Sequence, residues 1–225
     1  IYLGGDNQHV DHMYSKTTRS ENPLDTDSRY ARIAWCVHET NVTTIEEAKK
    51  LERNGIVFVL CGNHDDTSAV HLAIQLDAYF RNDEQVTIRT EPEIHKFFQW
   101  KSNAFCVTHG QTNDKRIATY ALQQVIRRNM MDVERVMVRM GHLHKRHRSA
   151  PQGLTEEDGV VIERFPTLAA QEAYSVEAAY TALRAKSAML WHDRWGRYGG
   201  REVSLGEIMN KYPLDKKNII QGKKD

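Results

Sequence analysis

Four apolar, strand-type runs in this chain each end at or beside a glycine, and metal-competent side chains follow at once. Ile1-Tyr2-Leu3 leads into Gly4-Gly5-Asp6-Asn7-Gln8-His9, and Ile56 to Leu60 leads into Gly62-Asn63-His64-Asp65. Ala104 to Thr108 leads into His109-Gly110, and Val133 to Met140 into Gly141-His142-Leu143-His144. Continuous apolar runs without polar alternation predict strands buried on both faces, as in a parallel sheet covered by helices. Ligands of such sheets gather beyond the carboxyl ends of the strands. A glycine at each exit lets the backbone turn sharply and pass close to its neighbours. Residues remote in sequence are therefore expected to converge at one edge of the molecule.

The stretches between these runs predict helices. Ser28 to Arg53 reads as helical in two pieces, with Asp27 or Ser28 as first cap and a second start at Thr43 or Thr44. Thr67 to Phe80 reads as a helix with Val70, Ile74 and Ala78 along its apolar face, and Ile117 to Arg128 as another. Ala169 to Arg184 is helix-prone. Val86–Thr90, Phe97–Trp100, Val160–Phe165, Ser187–His192 and Glu202–Leu205 read as further strands, the last three forming a β-rich end. Asp6 to Asp27 is a polar loop without period. Alternating strands and helices followed by strands predict an α/β core with a second sheet added by the C-terminal strands. One domain over residues 1–209 is expected, with a polar, Lys-rich tail over 210–225.

Composition narrows the function classes. In 225 residues, 31 Lys and Arg oppose 30 Asp and Glu, so a net charge of +1 gives no global field toward nucleic acid or membrane. The longest apolar run, Ile56 to Cys61, is too short to span a bilayer. An odd count of 3 cysteines points to reduced thiols and a cytoplasmic setting. Cys36, Cys61 and Cys106 fall in predicted helix or strand and read as core packing. Trp191 and Trp195 flank a strand end and read as packing or edge closure.

The 11 histidines are unevenly placed, and His9, His64, His109, His142 and His144 fall in the four turns. Imidazole, carboxylate and amide oxygen together suit zinc, manganese or iron better than a thiolate-bound metal. Each motif also has an ordinary structural role open to it. Asn63, Asp65 or Asp66 would serve equally as a helix cap, and Lys145-Arg146-His147-Arg148 as a solvated face. His12, Lys16 and Arg19 leave the first motif on a loop that could reach a substrate.

The series Gly-Asp, Gly-Asn-His-Asp, His-Gly, Gly-His-Leu-His resembles the calcineurin-like metallophosphoesterase superfamily over most of residues 1–205. The fuller wording of the first three motifs, with Pro23-Leu24-Asp25-Thr26-Asp27, looks like its bacteriophage and prophage branch. The resemblance implies a four-layer αββα sandwich of two mixed sheets. It implies two divalent metal ions, manganese first, with iron, zinc or nickel as alternatives. Asp6 would bridge the ions, Asn63, His109 and His142 would ligate one, and His144 the other. His64 would be general acid or charge stabiliser rather than ligand, oriented by Asp65. His9 matches a histidine in the nuclease subunit of double-strand-break repair complexes, and Lys145 and Arg146 would hold a nucleic-acid backbone beside the site. The family opens with Asp-x-His on a first strand that is not seen before Asp6, so the chain is expected to stop one strand short. The implied activity is phosphodiester hydrolysis of DNA or RNA in the cytoplasm, that of the host if phage-encoded. A phosphatase or nucleotide phosphodiesterase for small molecules and a catalytically impaired scaffold are the alternatives. No membrane partner is expected.

Overall fold

The computed structural model describes residues 1–18, 21, 23–24, 26, 29–51, 54–141, 154–169 and 184–213. Among them the chain is α/β, with 4 helices and mixed sheets. Strands β1 (Tyr2–Leu3), β2 (Gly55–Val59) and β3 (Val86–Arg89) form one parallel sheet in that order. Strands β4 (His95–Trp100), β5 (Asn103–Thr108), β6 (Arg135–Met140), β7 (Leu154–Glu157) and β8 (Val160–Arg164) form a second. Its order is β4-β5-β6-β8-β7, parallel in the centre and antiparallel at both edges. Strands β9 (Ala185–His192) and β10 (Gly196–Ser204) pair as a separate hairpin.

Side-chain alternation along the strands sorts three apolar clusters. In β2, Val57 and Val59 face helices α1 (Tyr30–Lys49) and α2 (Ser68–Phe80), meeting Val42, Ile45, Leu72 and Leu76. Phe58 and the adjoining Leu60 point the other way and pack against Val107 of β5 and Phe98 of β4. On the far face of the second sheet, Cys106, Val138 and Ile162 meet Ile117, Ala118 and Ala121 of helix α3 (Asp114–Arg127). The arrangement, with helices outside two facing sheets, is compatible with a sandwich.

Several local expectations give way. Helix α1 is continuous: Thr40 and Thr44 return their hydroxyls to the carbonyls of Cys36 and Thr40 instead of starting a new helix. On α2 the buried stripe is Ala69, Leu72, Ala73, Leu76 and Phe80, whereas Ile74 is 54% exposed. Helix α3 starts earlier than its apolar period, because Asn113 accepts the Arg116 N–H at 3.0 Å and caps it. Helix α4 (Leu205–Lys211), capped by Ser204, occupies the end of the last predicted strand and the start of the predicted tail. All three cysteines are free, and Cys36 is exposed rather than packed. Trp191 packs edge-on to Phe105, while Trp195 stands 73% exposed and stacks on His192. The helix-prone segment 170–183 and the tail from 214 lie outside the described residues.

Candidate metal centre

Three strand exits meet where the two sheets face each other. Beyond β1 the chain turns through Gly5 at φ 85° and Asp6 at φ 56°, and His9 also has a left-handed φ of 59°. Non-glycine residues enter that region at a cost, and functional sites are where such cost concentrates. Gly62 is required by proximity: a Cβ there would overlap the Asp6 carboxylate. At Gly5 a Cβ would meet the His109 ring at 2.7 Å, so both glycines let the loops close on each other.

Asp6, Asn63 and His109 come together at this point. His109 Nε2 lies 3.1 Å from Asp6 Oδ2 and 3.1 Å from Asn63 Oδ1. Its Nδ1 lies 2.6 Å from the Gly4 carbonyl, which can only accept, so Nδ1 carries the proton. The remaining ring nitrogen thus faces two acceptor oxygens. Such a trio is satisfied either by a second proton on the ring or by a cation among the three atoms. One carboxylate, one amide oxygen and one oriented imidazole are a donor set suited to a borderline divalent cation. The residues therefore fit the metal that the motifs imply.

The electrostatics agree with opposite charges held close. Burial works to raise the Asp6 carboxyl, but the His109 contact and the His64 N–H, at 2.9 Å from Oδ1, leave it below its ordinary value. Burial works to lower His109, and the hydrogen bond and charge of Asp6 leave it above its ordinary value.

His64 sits beside the trio rather than in it. Its backbone N–H binds Asp6, and its Nδ1 lies 3.2 Å from the His9 carbonyl oxygen. The His9 and His64 rings stack at 5.4 Å and 23°. The expected role of Asp65 changes. Instead of orienting the His64 ring, its fully buried carboxylate accepts four backbone N–H groups, from Asp6 (2.9 Å), Asn7 (2.6 Å), Gln8 (3.4 Å) and Gly62 (2.8 Å). It ties the first metal-type turn to the second. Burial, then the charge of Asp6, push the Asp65 carboxyl up against these donors.

His142, His144, Lys145 and Arg146 lie outside the described residues, as does Arg19. The described chain reaches the site from β6 as far as Gly141, whose N–H donates to the His109 carbonyl at 2.9 Å. Among the described residues no group of three His, Cys, Asp or Glu side chains gathers around one point, and the trio above counts an amide as its third member. Two contributors have no signal in the sequence. Asp11 reaches across to cap α2, and His95, opposite Thr108 on β4, holds the Thr108 hydroxyl at 2.8 Å. No helix among the described residues is long and apolar enough to cross a membrane.

Compared with protein-family models, curated proteins and solved structures, the chain matches none.

Proposed function

We propose that this chain is a calcineurin-like metallophosphoesterase of αββα sandwich fold that hydrolyses phosphodiesters in DNA or RNA with divalent cations, manganese first. The observation that carries the reading is the Nε2 of His109, turned by the Gly4 carbonyl toward the oxygens of Asp6 and Asn63. In this reading these three residues hold one cation. His142 would join them, and His144 would take a second cation, with Asp6 as a ligand of both. When bound, the cations acidify the attacking water and offset charge on the phosphoryl oxygens.

The chain's own groups supply the rest. His64 has Nδ1 against the His9 carbonyl, so its Nε2 is the atom left to give a proton or positive charge to the leaving oxygen. Stacking on His9 limits the tilt of that ring. Asp65 holds the Asp6 turn through backbone N–H groups and so fixes where the carboxylate points. Lys145 and Arg146 follow His144 directly and would hold the flanking backbone of the substrate.

The test supplies Mn²⁺ to the protein and compares bis-p-nitrophenyl phosphate, p-nitrophenyl phosphate and single-stranded DNA. Hydrolysis of the diester and of DNA is expected. Hydrolysis of the monoester alone would overturn the nuclease reading in favour of a small-molecule phosphatase. No hydrolysis with any divalent cation would leave a scaffold of the same fold.

A further inference from the structure

A second concavity lies close to the candidate metal centre, on the other face of β5. It has a volume of about 640 Å³ and is lined by His95, Thr112, Lys115, Arg116, Thr119 and Tyr120, among others. One wall is the first turns of α3 and the other is the edge strand β4. Its aromatic side is a packed series: His95 lies 5.2 Å from Tyr120, and Tyr120 lies 5.8 Å from the buried Phe97. The His95 ring also bonds the hydroxyl of Thr108, the residue before His109.

Charge is sorted around α3. Asp114 turns to the far side, where it pairs with Arg164 and accepts from Thr155 at 3.2 Å. Lys115 and Arg116 line the concavity, and neither makes an ion pair among the described residues. Burial holds His95 below its ordinary pKa, and the cavity combines two cations without an ion pair among the described residues, two threonine hydroxyls and a partly exposed ring. From His109 to Thr112 there are three peptide links, a separation of no more than about 11 Å.

We infer that this groove is a subsite for single-stranded nucleic acid, with Lys115 and Arg116 on its phosphates and Tyr120 against a base. The inference rests on the proposed nuclease activity and names the shape of its substrate. Cations beside an aromatic ring are how single strands are held without sequence preference. Acidic side chains would use the cations but bring no aromatic face to stack on the ring. For a chain of net charge +1, contact with a polyanion must rest on a local patch such as this one.

The test measures binding of fluorescein-labelled oligodeoxythymidylate by anisotropy, in EDTA, across a salt series. Lys115→Ala/Arg116→Ala is expected to weaken binding about tenfold or more and to flatten the log K against log salt slope by about 1.4, from two phosphates at about 0.7 each. Tyr120→Leu is expected to weaken binding by about tenfold with the slope unchanged. Manganese-dependent hydrolysis of bis-p-nitrophenyl phosphate should be unchanged in the double variant, because its single phosphate, held at the metal centre, leaves none for Lys115 and Arg116. Wild-type affinity and slope in the double variant, with diester hydrolysis intact, would overturn the subsite and leave the nuclease reading standing. Groove-dependent binding without diester hydrolysis would overturn the nuclease reading and keep the groove. Polyglutamate that displaces the oligonucleotide at equal concentration would overturn nucleic acid as the occupant.

Discussion

His64 and Asp65 are neighbours in sequence, yet their polar atoms serve different parts of the site. Asp65 is spent on four backbone N–H groups of the two turns, while the His64 ring leans on the backbone and ring of His9. The glycine-flanked motifs announce which residues converge, and Asp6, Asn63 and His109 do converge. Side-chain pairing within the site was not legible, because adjacency along a turn does not fix which way each side chain faces. The separation of roles gives a specific expectation for His64. Its ring nitrogens touch none of Asp6, Asn63 or His109 in the described contacts, and only its backbone N–H does. His64→Ala keeps that N–H and removes the ring. Manganese content after dialysis, read by elemental analysis, should stay at the wild-type level, while diester turnover falls by about 10²–10⁴. Loss of metal together with turnover would make His64 a ligand and end its assignment as proton donor.

Helix α2 shows how far local reading carries an element. Its existence and its end at Phe80 follow from the sequence, but its buried stripe does not. Apolar residues lie on more than one side, and only the position of the first sheet selects Leu72 and Leu76 over Ile74. At its N-terminus the nearby Asn63, Asp65 and Asp66 are the caps that the sequence suggests. The cap instead comes from Asp11, whose carboxylate takes the N–H of Thr67 at 2.9 Å and of Ser68 at 2.6 Å. A partner 56 residues away leaves no spacing signal. Burial works against the Asp11 carboxylate, but the Ser68 and Thr67 N–H groups outweigh it and leave its pKa below the ordinary value. A depressed carboxylate pKa adds stability that is present above the unfolded value, about 3.9, and lost as pH falls through the folded one. Asp11→Ala should therefore cost about 1 kcal/mol near neutral pH, read from urea unfolding. Wild type and variant should converge as pH falls below about 4. A gap that persists at low pH would mean that Asp11 acts by packing rather than by its charge.

Across the whole molecule, the α/β class and most strands are readable, but the edge strand β7 and the way the two sheets are joined are not. Facing residues such as Phe58 and Phe98, stacked at 4.7 Å, look like any other apolar strand positions. Nor does the sequence distinguish Glu163, buried to 1% exposure and paired with Arg139 and Arg197, from a surface acid. At the end where the strands exit, the joining is polar. The Tyr2 hydroxyl donates to the Thr108 carbonyl at 2.6 Å, and His109 Nδ1 donates to Gly4 across the same gap. Asp6 and Asn63 follow strands of the first sheet, and His109 follows a strand of the second. A cation held by all three thus ties one sheet to the other, and its ligands are scattered once the chain unfolds. Binding to the folded state alone stabilises it by about 2.7 kcal/mol at a free concentration of 100 times Kd. For a chain of this size that raises Tm by about 5–11 °C, at roughly 2–4 °C per kcal/mol. Calorimetry with Mn²⁺ against EDTA should show this rise in wild type and in His64→Ala, and its loss in Asp6→Asn and His109→Ala. Equal Tm with and without Mn²⁺ in the wild type would remove the metal centre from the reading of this fold, because a cation that bridges the sheets cannot bind without stabilising them.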